Sequence, residues 1–138
     1  MLDDGSQNTW ITQQVVDELN LPIVGKKTFS VAVAFSATLE PPKEFSVAKV
    51  TLKTTRGNNF TMDALVRDGP LCIEMDAIPF DPTKEFSHLK NIRFADCFPR
   101  EEEQVEILIG ADYAETIKTG ARAKGKITAP VGVQTIFG

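Results

Sequence analysis

The chain of 138 residues carries one histidine, two cysteines, one tryptophan and one tyrosine. Each shortage removes a class of function. A single imidazole, His88, cannot build a multi-histidine metal site, and no nucleophile lies near it in sequence, so a surface or capping role is the plainer reading. Cys72 and Cys97 are too few and too far apart for a zinc motif or a disulfide framework; they read as two reduced, partly buried thiols. The net charge of −4 lacks the basic excess that nucleic acid or an anionic membrane surface would require. No apolar run approaches the roughly 18 residues of a membrane-spanning helix. No basic-then-apolar leader is present, so a cytoplasmic setting is expected. Against these absences, 42% hydrophobic and 25% charged residues are ordinary for a soluble globular chain. The length suits one domain with its own core.

Periodicity predicts a β-rich chain with one or two short helices. Ile11, Val15 and Leu19 recur every four residues and put an apolar stripe on a short helix. Thr9 or Thr12 is placed to cap it, and Asn20-Leu21-Pro22 to end it. Thr28 to Phe35 is rich in β-branched and aromatic residues and reads as a strand. Ser46 to Thr54 alternates and returns as a second strand, Arg56-Gly57-Asn58-Asn59 is a hairpin turn, and Phe60 to Val66 is the next strand. Such a meander of short strands argues for a small barrel or sandwich. Residues 68–104 hold Pro70, Pro79, Pro82 and Pro99 without a long apolar period, and read as an irregular insertion with a helical turn near Phe86 to Leu89. Arg100-Glu101-Glu102-Glu103 reads as a solvated face, because consecutive carboxylates point in different directions. Val105 to Ile109 is apolar and reads as the central strand. Tyr113 to Thr119 follows as a helical turn stopped by Gly120, and Ala121 to Lys126 as a solvated basic loop. The last residues, Val131 to Gly138, read as a strand.

Two stretches carry candidate chemistry. Leu2-Asp3-Asp4-Gly5-Ser6-Gln7 puts a carboxylate after an apolar residue and before a Gly turn. Its plain meaning is an Asp-Gly turn with Ser6 or Thr9 capping the next helix. Its sharper meaning is a catalytic Asp on a loop whose glycine permits close backbone approach. The other stretch, Ile107-Leu108-Ile109-Gly110-Ala111-Asp112-Tyr113, is a buried strand that turns sharply.

Together they resemble the retropepsin-like aspartic peptidases, and in particular the peptidase segment of Pao/BEL-type LTR retrotransposon polyproteins. Leu2 to Gln7 is similar to that group's active-site loop. His88 to Asp96 with Phe98-Pro99-Arg100-Glu101 is similar to its insertion, and Pro130-Val131 to Phe137-Gly138 to its end. The resemblance covers residues 1–138 as one domain, cut short at both ends. It implies a closed, mainly β acid-protease barrel and an endopeptidase that processes a polyprotein in the cytoplasm or within retrotransposon particles. It also implies a homodimer contributing one Asp per subunit, with no cofactor or metal. Asp3 would be catalytic, with Asp4, Gly5 and Ser6 completing the loop and Ile109 and Gly110 supporting it. A hairpin from about Val33 to Phe45, with Phe35, Ser36, Ala37 and Thr38 at its centre, would cover the substrate as a flap.

One residue departs from the family. The position after the catalytic Asp is usually Ser or Thr, whose hydroxyl bonds across the dimer; here it is Asp4. A carboxylate there must point away, stay protonated or accept from a backbone N–H. Asp4 is also a rival for the catalytic role, though its place beside Gly5 fits the second position better. Two further readings stand beside the peptidase: an inactive dimerisation or binding module of the same fold, and a small β-barrel binding domain in which Asp3-Asp4-Gly5 is only a turn.

Overall fold

The structure, a computed structural model, describes residues 1–30, 41–71, 77–95 and 97–138. In chain order the elements are β1 (Trp10–Thr12), α1 (Gln13–Glu18), β2 (Ile23–Phe29), β3 (Lys43–Lys53), β4 (Asn59–Arg67), α2 (Pro82–Glu85), a 3-10 turn (Ser87–Leu89), β5 (Ile107–Leu108), α3 (Ala111–Ile117), β6 (Lys118–Ala123) and β7 (Gly132–Thr135). The fold is mainly β. Five strands form one sheet in the order β2-β3-β4-β1-β5, and β6 pairs with β7 separately. Among the described residues the sheet does not close into the expected barrel: β2 and β5 are its two edges.

The β3–β4 hairpin is the frame. Its register runs from Val47 opposite Leu65 to Lys53 opposite Asn59. Gly57 closes the turn at φ +81°, where a side chain would be strained, and donates its N–H to Thr54 O at 2.9 Å. Because successive side chains leave a strand on opposite faces, the hairpin feeds two apolar clusters. On one face Ala48 and Val50 meet Met62, Ala64 and Val66, joined by Ile11, Val15, Val16, Ile109 and Ile117. On the other face Phe45, Val47 and Leu65 pack with Trp10 and Phe29. There the Trp10 and Phe45 rings meet edge to face at 5.1 Å, while Phe29 stacks on Phe45 at 5.1 Å.

β1 corrects the expected helical stripe. Its three residues pair in parallel with β4 and antiparallel with β5. Ile11 is therefore a fully buried strand residue, and α1 begins only after Thr12, whose side chain accepts from Val15 N–H at 3.4 Å. Val15 and Val16 are the buried residues of α1, whereas Leu19 lies past its end, exposed.

The next described strand is β2, which takes in Thr28 and Phe29 of the expected strand; residues 31–35 of that strand lie outside the described residues. β2 starts just past Pro22, and six of its seven residues are exposed, so pairing with β3 rather than burial holds it. The flap residues Phe35, Ser36, Ala37 and Thr38 lie outside the described residues, as does Cys72. The expected central strand is the two-residue edge strand β5. α3 begins two residues earlier than Tyr113, and Gly120 falls inside β6, where the register against β7 shifts between Lys118 and Arg122. Ala121 to Ala123 is thus strand rather than loop, while Lys124 to Lys126 is exposed. The described part of 68–104 is irregular. It holds α2, capped by the Asp81 side chain, the 3-10 turn, and an isolated bridge between Ile78 and Arg100. His88 is a tether: its Nε2 lies 2.9 Å from Pro130 O.

Candidate active site

The loop from Asp3 to Asn8 is bound to the chain more than a hundred residues later. Leu2 and Ile109 form a parallel bridge, in which Ile109 N–H donates to Met1 O and Asp3 N–H donates to Ile109 O, each at 2.8 Å. The Met1 ammonium donates to Ile107 O at 2.8 Å. On the far side of the loop, Ala111 N–H donates to Ser6 O at 2.8 Å. The loop thus lies directly on the Ile109-Gly110 step. Gly110 leaves no space between them: a Cβ there would sit 2.4 Å from Asn8 O and 2.8 Å from Ser6 O. Its φ is −87°, so this glycine is required by contact rather than by backbone conformation.

Inside the loop, Asp3 is half-buried and its Oδ1 accepts from Gly5 N–H at 2.9 Å. Ser6 N–H returns to Asp3 O at 3.3 Å, and the Ser6 hydroxyl donates to Asn8 O at 2.7 Å. One carboxylate oxygen of Asp3 therefore shapes the turn. Among the described residues no cation pairs with Asp3.

Asp4 finds a partner other than the backbone N–H expected of it. Its two oxygens accept from Lys118 Nζ at 2.9 and 2.7 Å. Lys118 also reaches Glu115 Oε1 at 3.4 Å. The Asp4 hydrogen bond holds the Lys118 ammonium above its ordinary pKa, partial desolvation opposes this, and Glu115 adds to it.

Two further residues hold the loop, and the sequence reading named neither role. Asp112 sits in the first turn of α3, where a carboxylate suits the helix dipole. Its Oδ2 accepts from Thr9 N–H at 3.0 Å and its Oδ1 from the Thr9 hydroxyl at 2.7 Å. The same hydroxyl oxygen accepts from Gly110 N–H at 3.1 Å. Thr9, 1% exposed, thereby locks the end of the loop to both the Gly110 step and α3. The local signals were present, in the Gly-Ala-Asp opening of a helix and in a threonine before Trp10, but the pairing spans 103 residues.

Lys118 is likewise joined to Asp4 across 114 residues. Among the described residues no three His, Cys, Asp or Glu side chains converge as metal ligands. A cavity of about 470 Å³ lies elsewhere, between Ile92, Phe94, Ala123 and Val133, and no residue of the Asp3 loop lines it. No helix among the described residues is long and apolar enough to cross a membrane. No protein-family model, curated protein or solved structure matches this chain.

Proposed function

We propose that the chain is one half of a retropepsin-like aspartic endopeptidase, in which Asp3 from each of two copies forms the catalytic pair. The observation that carries this reading is the anchorage of the Asp3 turn. An ordinary Asp-Gly turn is a surface device of four residues. This one is bonded on both sides to a buried strand-to-helix step, is closed by a side-chain lock on Thr9, and rests on a glycine that admits no Cβ. Such anchorage is what a carboxylate needs when its position must be held for chemistry.

In the dimer the two Asp3 carboxylates share one proton, since like charges at hydrogen-bonding range do not both ionise. The ionised partner takes a proton from a water molecule, whose oxygen attacks the peptide carbonyl carbon. The protonated partner gives its proton to the carbonyl oxygen, forming a neutral tetrahedral intermediate. Collapse breaks the C–N bond, the nitrogen receiving a proton from one carboxyl while a hydroxyl of the intermediate returns its proton to the other, so the pair again holds one proton. The substrate is an extended segment of a polyprotein, bound between the subunits. By the same resemblance, the setting is the cytoplasm or the retrotransposon particle.

Asp4 favours a second reading, a dimerisation or binding module of the same fold without activity, because it adds a carboxylate beside the pair. Cleavage of a broad peptide mixture at mildly acidic pH separates the two. It should be run at concentrations where sedimentation shows a dimer, with wild type and Asp3→Asn, with and without pepstatin. Pepstatin-sensitive cleavage that Asp3→Asn abolishes is expected. A dimer that cleaves nothing would sink the enzyme reading in favour of the binding module.

A further inference from the structure

Asp4 follows Asp3 directly, so a dimer that brings the two Asp3 carboxylates together also brings a second acid from each subunit toward the same axis. Uncompensated, those charges would repel across the interface and penalise ionisation of the pair. Lys118 answers them from within each chain. Its ammonium reaches both oxygens of Asp4 at 2.9 and 2.7 Å, and its side chain is only 19% exposed against 64% for Asp4. The more buried member of the pair is thus the cation, held at the junction of α3 and β6. On the loop and α3 the other charged groups are Asp3, Asp112 and Glu115, with the Met1 ammonium bonded beside them and Arg122 further along β6. Asp112 is occupied by Thr9, the Met1 ammonium donates to Ile107 O, and Glu115 is 88% exposed and 3.4 Å from Lys118. Lys118 is the group that meets Asp4.

We infer that Lys118 is a positioning residue of the Asp3 loop, whose bond to Asp4 neutralises the second carboxylate and so permits two copies of the loop to meet. This rests on the dimeric peptidase reading above, and it explains how that reading tolerates an acid at position 4. The effect is electrostatic, so removing the cation should act through charge and be screened by salt, whereas a merely structural defect would not be.

The test is sedimentation equilibrium of the full chain at low and high salt, for wild type, Lys118→Met, Lys118→Arg and Lys118→Met/Asp4→Asn. Lys118→Gln serves in place of Lys118→Met should the latter not fold. Lys118→Met is expected to weaken the dimer by about fivefold or more at low salt, with most of the loss recovered at high salt. Lys118→Arg should keep wild-type association, and adding Asp4→Asn to Lys118→Met should restore it. A dimer equally tight with and without Lys118, or one weakened to the same extent at every salt concentration, overturns this role while leaving the peptidase reading standing. A wild-type chain that stays monomeric at every salt concentration also overturns this role.

Discussion

Replacing Gly110 by alanine tests whether the Asp3 loop is supported by contact. The added Cβ would lie 2.4 Å from Asn8 O, 2.6 Å from Asn8 C and 2.8 Å from Ser6 O, all backbone atoms that no rotamer change can move aside. Alanine has no conformational objection at φ −87°, ψ −174°, so the whole cost is steric. Moving the loop away strains the Ala111 N–H to Ser6 O bond and the Gly110 N–H to Thr9 hydroxyl bond. Overpacking of a close contact costs about 1–3 kcal/mol and a weakened buried hydrogen bond about 1 kcal/mol, giving about 2–4 kcal/mol together. With a typical urea slope for a small domain, the midpoint should fall by about 1–2 M.

Urea unfolding followed by fluorescence is well placed to measure this, since the chain's one tryptophan, Trp10, lies directly after the loop in β1. Gly25→Ala is the control, because a Cβ there meets nothing within 4 Å and its φ is not positive. It should change stability by less than about 0.5 kcal/mol. Equal midpoints for the two alanine variants would refute the claim that the loop rests on Gly110.

Three further outcomes follow from the hydrogen bonds and ion pairs. Asp112→Asn turns an amide toward the two donors of Thr9 and should destabilise the fold by about 1–3 kcal/mol in the same urea assay, since Thr9 is buried. The Lys118 ammonium titrates above its ordinary value of 10.5 in the folded chain. Its stabilisation is therefore fully present below 10.5 and lost as pH rises through the higher folded value. As pH rises above 10.5 wild type should lose more stability than Lys118→Met, and parallel losses would dismiss the ion pair. Asp81 has the opposite sign: the Thr83 hydroxyl and N–H hold its carboxyl below the ordinary value of 3.8. That contribution is present above 3.8 and lost as pH falls through the lower folded value, so thermal unfolding of Thr83→Ala should be less acid-sensitive there than that of wild type.

Local pattern and long-range pairing divide this protein cleanly. The β3–β4 hairpin was legible because alternation over Ser46 to Thr54 and Phe60 to Val66, joined by a turn around Gly57, is a short-range signal that the backbone obeys wherever one face is buried. The irregular character of the insertion, in its described part, followed from its prolines. Of the two caps offered for α1, Thr9 and Thr12, the second is the one used, and the helix stops at Glu18, ahead of Asn20-Leu21-Pro22, while Ile11 and Leu19 of its expected stripe fall outside it. Nothing local says that Trp10–Thr12 will be drawn into a parallel pairing with β4 more than fifty residues later. Most of β2 was missed for a similar reason, because its exposed Gly25-Lys26-Lys27 has little strand preference and is extended by its partner.

For the candidate site, the sequence alone determined the residue types in the loop, an acid, a glycine and a hydroxyl in a tight turn, and an apolar step ending in Gly110. The tertiary structure decided what those residues do. It laid the loop on Gly110, gave Thr9 to Asp112, and gave Asp4 to Lys118 across 114 residues. A turn is encoded by neighbours in the chain. A carboxylate's partner is chosen by whichever donor folding brings within 3 Å, and that depends on the whole path of the chain.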